Sequence, residues 1–222
     1  MNVNNFDFLE RFRYNINSQN GEDGILEELL KRLNIDSGYV CEFGAWDGVY
    51  LSNTFNLIKK GFKSVLIEGD PEKFNDLVKL SERYPTITPI CAWVDHVKDS
   101  PTSLDRLLQT TQIPVDFDVL SIDIDSFDYQ VWESLELYRP KIVIIEINSS
   151  VPFSDMKHIH TPDIYQGTGF GPTKLLGTKK GYKFLFLTGN MIFIREDLYP
   201  KLQSSYSTKL NLTNTGFKKV LL

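Results

Sequence analysis

Along most of this chain, short continuous apolar runs alternate with stretches whose apolar positions recur every three or four residues. That is the pattern of buried strands interleaved with amphipathic helices. The runs at 39–43, 64–68, 88–94, 119–123 and 142–147 predict five strands, and the segments 22–33, 52–60, 71–84, 103–110 and 129–137 predict helices. The first helix shows its period most clearly: Ile25, Leu26, Leu29, Leu30 and Leu33 share a face, with Ser18 and Asn20 upstream as candidate caps. Near the end the alternation changes. Residues 182–187 and 191–195 are β-rich and separated by Thr188-Gly189-Asn190, which predicts a hairpin. The expected fold class is α/β, a mostly parallel seven-stranded sheet with helices on both faces and a C-terminal antiparallel β-hairpin.

Length and composition reduce this to a single domain. With 222 residues, 41% of them apolar, the chain suits one core with a ligand cleft. The expected division is an N-terminal cap and helix segment (1–36), a core (37–200) and a C-terminal tail (201–222). The 24 basic residues face 29 acidic ones for a net charge of −5, a balance unfavourable to phosphate backbones and anionic bilayers. No nucleic-acid or membrane partner is expected. Cys41 and Cys91 each fall in an apolar run and are predicted to be buried, unpaired hydrophobes. The first fourteen residues alternate charge with aromatics, and no later run reaches the ~18 apolar residues of a membrane span, so a soluble cytoplasmic protein is expected. The pattern leaves oligomeric state open, a homo-oligomer included.

Candidate chemistry gathers at the strand ends. After 39–41 comes Glu42-Phe43-Gly44-Ala45-Trp46-Asp47-Gly48, an acidic strand end followed by a Gly-x-x-x-Gly turn that allows close backbone approach to a ligand. The G-x-G-x-x-G of dinucleotide enzymes is absent, which disfavours an NAD-using or nucleotide-sugar enzyme. Glu68, at the end of the second strand with Asp70 just beyond, is placed to accept both hydrogen bonds of a ribose diol. The plain structural alternative is that Glu42 and Glu68 are solvated strand ends and the glycines mere turn residues. Trp93, ending the third strand, reads as an adenine flank or as core packing.

The fourth strand runs into Asp123-Ile124-Asp125-Ser126-Phe127-Asp128. If the strand persists, Asp123 and Asp125 point to one side, where their repulsion calls for a cation, donors or a shared proton. The fifth ends in Glu146-Ile147-Asn148, whose oxygens suit Mg²⁺ or Mn²⁺. Asp125 and Asp128 are alternatively caps for the helix starting near Tyr129. In the aperiodic stretch 154–171, His158 and His160 form a His-x-His, with His160 a rival base.

A parallel α/β sheet closed by an antiparallel hairpin resembles the Rossmann-like class I S-adenosylmethionine-dependent methyltransferases. The segments 18–24, 42–48 and 51–54 are similar to FkbM-type members. The resemblance implies S-adenosylmethionine as cofactor, with Gly44 and Gly48 against its amino-acid portion, Glu42 near its amine and Glu68 on its ribose. Trp46, Asp70, Trp93 and Asp123 join that set, and Gln19 and Glu22 are candidates for closing over the methionine end. By similarity to metal-dependent O-methyltransferases, Asp123, Glu146 and Asn148 would hold Mg²⁺ or Mn²⁺, and Asp125 would be the base. O-methylation of a saccharide or small natural-product hydroxyl is the implied reaction. A non-catalytic cofactor-binding or scaffold protein is the alternative from another class.

Overall fold

The computed structural model describes residues 7–163 and 167–202. Its sheet contains β1 (Tyr39–Phe43), β2 (Lys63–Glu68), β3 (Ile87–Cys91), β4 (Val119–Ile122), β5 (Ile142–Glu146), β6 (Tyr182–Leu187) and β7 (Asn190–Arg195). Their order is β3-β2-β1-β4-β5-β7-β6, and β7 alone runs against its neighbours. The chain order reverses between β1 and β4, which opens a crevice at the carboxyl ends of those strands, the usual ligand position in open α/β sheets.

Two apolar layers sandwich the sheet. The helices α1 (Glu22–Leu33), α2 (Phe55–Lys59) and α3 (Pro71–Arg83) bury Leu26, Leu29, Leu57 and Leu77 on one face. On the other, α4 (Leu104–Gln109), α5 (Asp128–Ser134) and α6 (Phe170–Lys179) bury Leu104, Leu108, Trp132 and Leu176. Pleating divides β1 between them: Val40 joins the first layer, Cys41 and Phe43 the second. Each fully buried side chain of this size contributes about 1.5–3 kcal/mol. The predicted fold class therefore stands, with helices on both faces.

Several local expectations change. β3 is an edge strand and ends at Cys91, so Cys91 is exposed rather than buried. α2 starts at Phe55, because residues 52–54 are drawn to Glu42 instead. The N-cap of α1 is Gly21 at φ 97; Asn20 does not cap, and Ser18 Oγ accepts from the Asp23 N–H at 3.0 Å. α5 spans Asp128–Ser134 rather than 129–137; beyond it, Lys180 Nζ takes the Leu135 carbonyl at 2.7 Å. β7 begins at Asn190, leaving a two-residue hairpin loop. Of the predicted tail, residues 203–222 lie outside the described residues, while Leu202 is fully buried in the first layer. Among the described residues, no helix is long and apolar enough to cross a membrane.

Candidate active site

The crevice is built by backbone contact between the β1 turn and the end of β4. Gly44 has φ 74, and a Cβ there would overlap the Asp123 carbonyl oxygen. Only glycine allows both the bend and that approach. Gly48, at φ 76, serves a different purpose: a Cβ would meet Leu80 at 2.7 Å and Leu77 at 2.9 Å. Its Cβ side faces α3.

The two acidic strand ends act as fasteners. Glu42 is buried, and its carboxylate accepts from Ser52 Oγ (2.6 Å), Thr54 Oγ1 (2.6 Å) and the Asn53 N–H (2.9 Å). Burial raises its pKa, and those three donors oppose the rise. Asn53 in turn donates to Ser121 Oγ of β4 at 3.0 Å. Glu42 thus clamps the 51–54 loop. Glu68, also buried, accepts from the Trp46 N–H at 2.7 Å and the Asp70 N–H at 2.8 Å, joining the β1 and β2 turns. A carboxylate offers about four acceptor positions, so the ribose role retains two.

Trp46 sits at φ 48 with an exposed indole, 5.6 Å from the Tyr50 ring and 4.5 Å from Lys73 Nζ. Asp70 is the N-cap of α3, accepting from Glu72 N at 2.8 Å, so its carboxylate serves the helix. Trp93 is 73% exposed and lies against Gly69, in the space a Cβ would take. The core-packing reading of Trp93 fails because β3 has ended and its side chain rests on the β2 turn. Gln19 is exposed; its carbonyl accepts from Asn15 Nδ2 at 2.9 Å.

At β4, the strand stops at Ile122 and Asp125 takes φ 58, so the pleat does not align Asp123 with Asp125. A turn does. Asp128, buried, accepts from Ile124 N (2.8 Å) and Ser126 N (2.9 Å), stitching the turn rather than capping α5. The result brings oxygens of Asp123, Asp125 and Glu146 within 4.8 Å of one another. Burial, then the Asp128 and Asp125 charges, push Asp123 up to about 7, and burial with Asp123 pushes Glu146 up to about 8. Both carboxyls therefore hold their protons well above the ordinary carboxylate range. Burial also raises Asp128 to about 6.

A cleft of about 450 Å³ opens here, lined by Asp125, Glu146, Asn148 and Ser150 among others. Asn148 Oδ1 accepts from the Ser150 N–H at 3.0 Å and from its hydroxyl. His160 is buried: its Nδ1 accepts from Gly167 N at 3.3 Å and its carbonyl from Gln130 Nε2 at 2.6 Å. Burial lowers its pKa. It pins the loop, and its ring meets the edge of Phe127 at 4.7 Å. Phe127 also stacks on His96 at 4.4 Å. That ladder was not legible in the sequence, since 96, 127 and 160 share no motif. His158 joins no carboxylate cluster among the described residues.

No protein-family profile and no curated protein sequence matches the chain. Solved structures do match its fold. A Staphylococcus aureus protein assigned as a caffeoyl-CoA O-methyltransferase superposes with a TM-score of 0.52 at 14% identity, over 77% of this chain and 81% of that one. The CurJ carbon methyltransferase superposes with a TM-score of 0.50 at 11% identity, over 78% of this chain and 52% of that one, so this chain spans about half its length. The chain has the Rossmann-like fold of these methyltransferases, a mostly parallel seven-stranded sheet closed by an antiparallel hairpin.

Proposed function

We propose that this chain is an FkbM-like enzyme that transfers the methyl group of S-adenosylmethionine to a hydroxyl of a saccharide or small natural product. The observation that carries the reading is the carboxylate-lined cleft adjoining the β1–β4 crevice, which sets proton-accepting oxygens beside a candidate nucleoside site. Gly44 lets the β1 turn close against the end of β4, Glu68 retains acceptor positions for a ribose diol, and Trp93 offers a flat apolar surface next to it. The acidic lining opposes a phosphodiester acceptor and suits a neutral polyol.

Transfer requires the acceptor oxygen in line with the sulfonium methyl. The new O–C bond forms as the C–S bond breaks, its electron pair stays on sulfur, and the hydroxyl proton leaves to a base. Asp125 is that base in this reading, being exposed at the cleft mouth. Asp123, Glu146 and Asn148 supply hard oxygen donors of the type Mg²⁺ or Mn²⁺ takes; Asp123 and Glu146 converge within 4.8 Å, with the Asp125 base beside them. Such an ion, when bound, would acidify and orient the hydroxyl.

Calorimetry with S-adenosylhomocysteine should show saturable one-to-one binding. No binding of it or of S-adenosylmethionine overturns the reading, whereas binding without transfer to any hydroxyl acceptor favours the scaffold alternative. Chelation should abolish turnover and Mg²⁺ or Mn²⁺ restore it; full activity in chelator removes the cation. Asp125→Asn should lower kcat by about 10²- to 10⁴-fold while leaving S-adenosylhomocysteine affinity within about twofold. Equal loss of both would exclude it as the base.

A further inference from the structure

We infer that the acceptor is amphiphilic: its hydroxyl enters the carboxylate-lined cleft while an attached aryl or short alkyl group rests on a platform built by Phe153, Met156, Phe170 and Leu175. The inference rests on the methyltransferase reading above.

Chain connectivity places the platform beside the cleft. β5 and β6 both run against β7, so α6, which leads into β6, begins at the carboxyl edge where the cleft opens. Two segments, 147–153 and 167–170, join cleft to platform. Phe153 follows the cleft-lining Ser150 by three residues, and Phe170 follows the cleft-lining Gly167 by three. Three residues span at most about 11 Å, which bounds the distance from either backbone to the cleft wall. The two segments are tied together, the Asn148 N–H donating to the Thr168 carbonyl at 3.0 Å and the Gly169 N–H to the His158 carbonyl at 3.0 Å.

The platform is apolar and preformed. The Phe153 and Phe170 rings lie 4.9 Å apart with 31° between their planes, and Phe184 meets Phe170 edge to face at 5.2 Å. A Cβ on Gly171 would overlap the Asp155 carbonyl oxygen and meet Met156 Sδ at 2.7 Å, so the 152–156 turn packs directly on the first turn of α6. Leu175 stands one turn beyond Gly171 on the same helix face. Asp155 shapes the turn: its N–H donates to the Pro152 carbonyl at 2.8 Å and its Oδ1 accepts from Lys157 N at 2.8 Å. A surface held this way gives up little conformational entropy on binding.

Phe153, Met156 and Leu175 are nevertheless 53%, 49% and 55% exposed. Three half-exposed side chains of this size offer on the order of 300 Å². A stable protein interface needs about 800 Å² per partner, so a second copy of the chain is the poorer occupant. One aryl ring or a short alkyl chain suits the area, and continuity with the cleft selects a group carried by the acceptor itself.

The test uses the full chain saturated with S-adenosylhomocysteine, with methyl, butyl and hexyl β-D-glucoside as probes. Affinity measured by calorimetry should rise about two- to fourfold per added methylene. Hexyl glucoside should also shift the Met156 methyl resonance in methionine-labelled protein. Phe153→Ser and Leu175→Ser should each cut the hexyl-over-methyl preference about fivefold. Both positions are at the surface, so S-adenosylhomocysteine affinity should stay within about twofold and the melting temperature within about 2 °C. Equal affinities, or no binding of any glucoside, with S-adenosylhomocysteine still bound overturns the platform and leaves the donor reading intact. A preference that both variants retain overturns it too, as does a wild-type dimer that Leu175→Ser dissociates. No binding of S-adenosylhomocysteine overturns this inference together with the methyltransferase reading.

Discussion

Asp123→Asn should make the ligand-free protein more stable at pH 8 while removing turnover. Burial, with the neighbouring carboxylate charges, pushes Asp123 up to about 7 and Glu146 up to about 8, from ordinary values of 3.8 and 4.5. A carboxyl with a raised folded-state pKa binds its proton more tightly folded than unfolded. Its stabilising contribution is complete below pH 4 and is lost as pH rises to about 8. At pH 8 the wild type therefore holds crowded charges that the unfolded chain would hold in water. An asparagine carries no charge, and its amide donates to Glu146 at any pH. The expected gain is on the order of 2–4 kcal/mol at pH 8, or about 5–10 °C in melting temperature, and it should shrink toward pH 5. Thermal unfolding of both proteins at the two pH values measures it. An unchanged or lowered melting temperature at pH 8 would mean that the cluster is not strained. The cost in function follows from the same residue, a trade common at sites that keep unfavourable charge for chemistry.

Gly44→Ala should be severely destabilising. Two penalties combine: a left-handed φ of 74, costing about 1–2 kcal/mol for a side chain, and overlap with the Asp123 backbone oxygen, which no rotamer relieves. The total should exceed about 3 kcal/mol, and the surviving fold should place Asp123 and the β4 turn elsewhere. Gly61→Ala isolates the first penalty, since Gly61 has φ 96 and open space where a Cβ would go. Denaturant melts of the two variants should therefore differ by about 2 kcal/mol or more. Equal losses would show that the β1 turn and β4 do not touch as described.

Much of the scaffold was legible because parallel strands buried on both faces leave a continuous apolar signature. Val119–Ile122 and Ile142–Glu146 illustrate it, each lying at the centre of the sheet between two helical layers. Legibility fell at the edge. β3 and Trp93 looked like core because an apolar run does not state whether both of its faces will be covered, and Cys91 is exposed for the same reason. The site was legible as a set of residue types and poorly as a set of contacts. Asp123 and Asp125 do meet Glu146, yet through a turn that Asp128 stitches instead of through the pleat. Gly44 and Gly48 look alike in the sequence and face Asp123 and α3 respectively.

Periodicity by itself determined the α/β class, the two helical layers and the closing hairpin, because these depend on which side chains avoid water along each segment. It also located the acidic strand ends, since charge interrupting an apolar run marks where burial stops. Only the tertiary structure decided what those charges do. Glu42 fastens 52–54, Glu68 joins two turns, Asp70 caps a helix, and Asp123 meets Glu146 from another strand. A carboxylate's role depends on which donors and charges fold around it and how far water is excluded, and those partners lie 2 to 23 residues away along the chain.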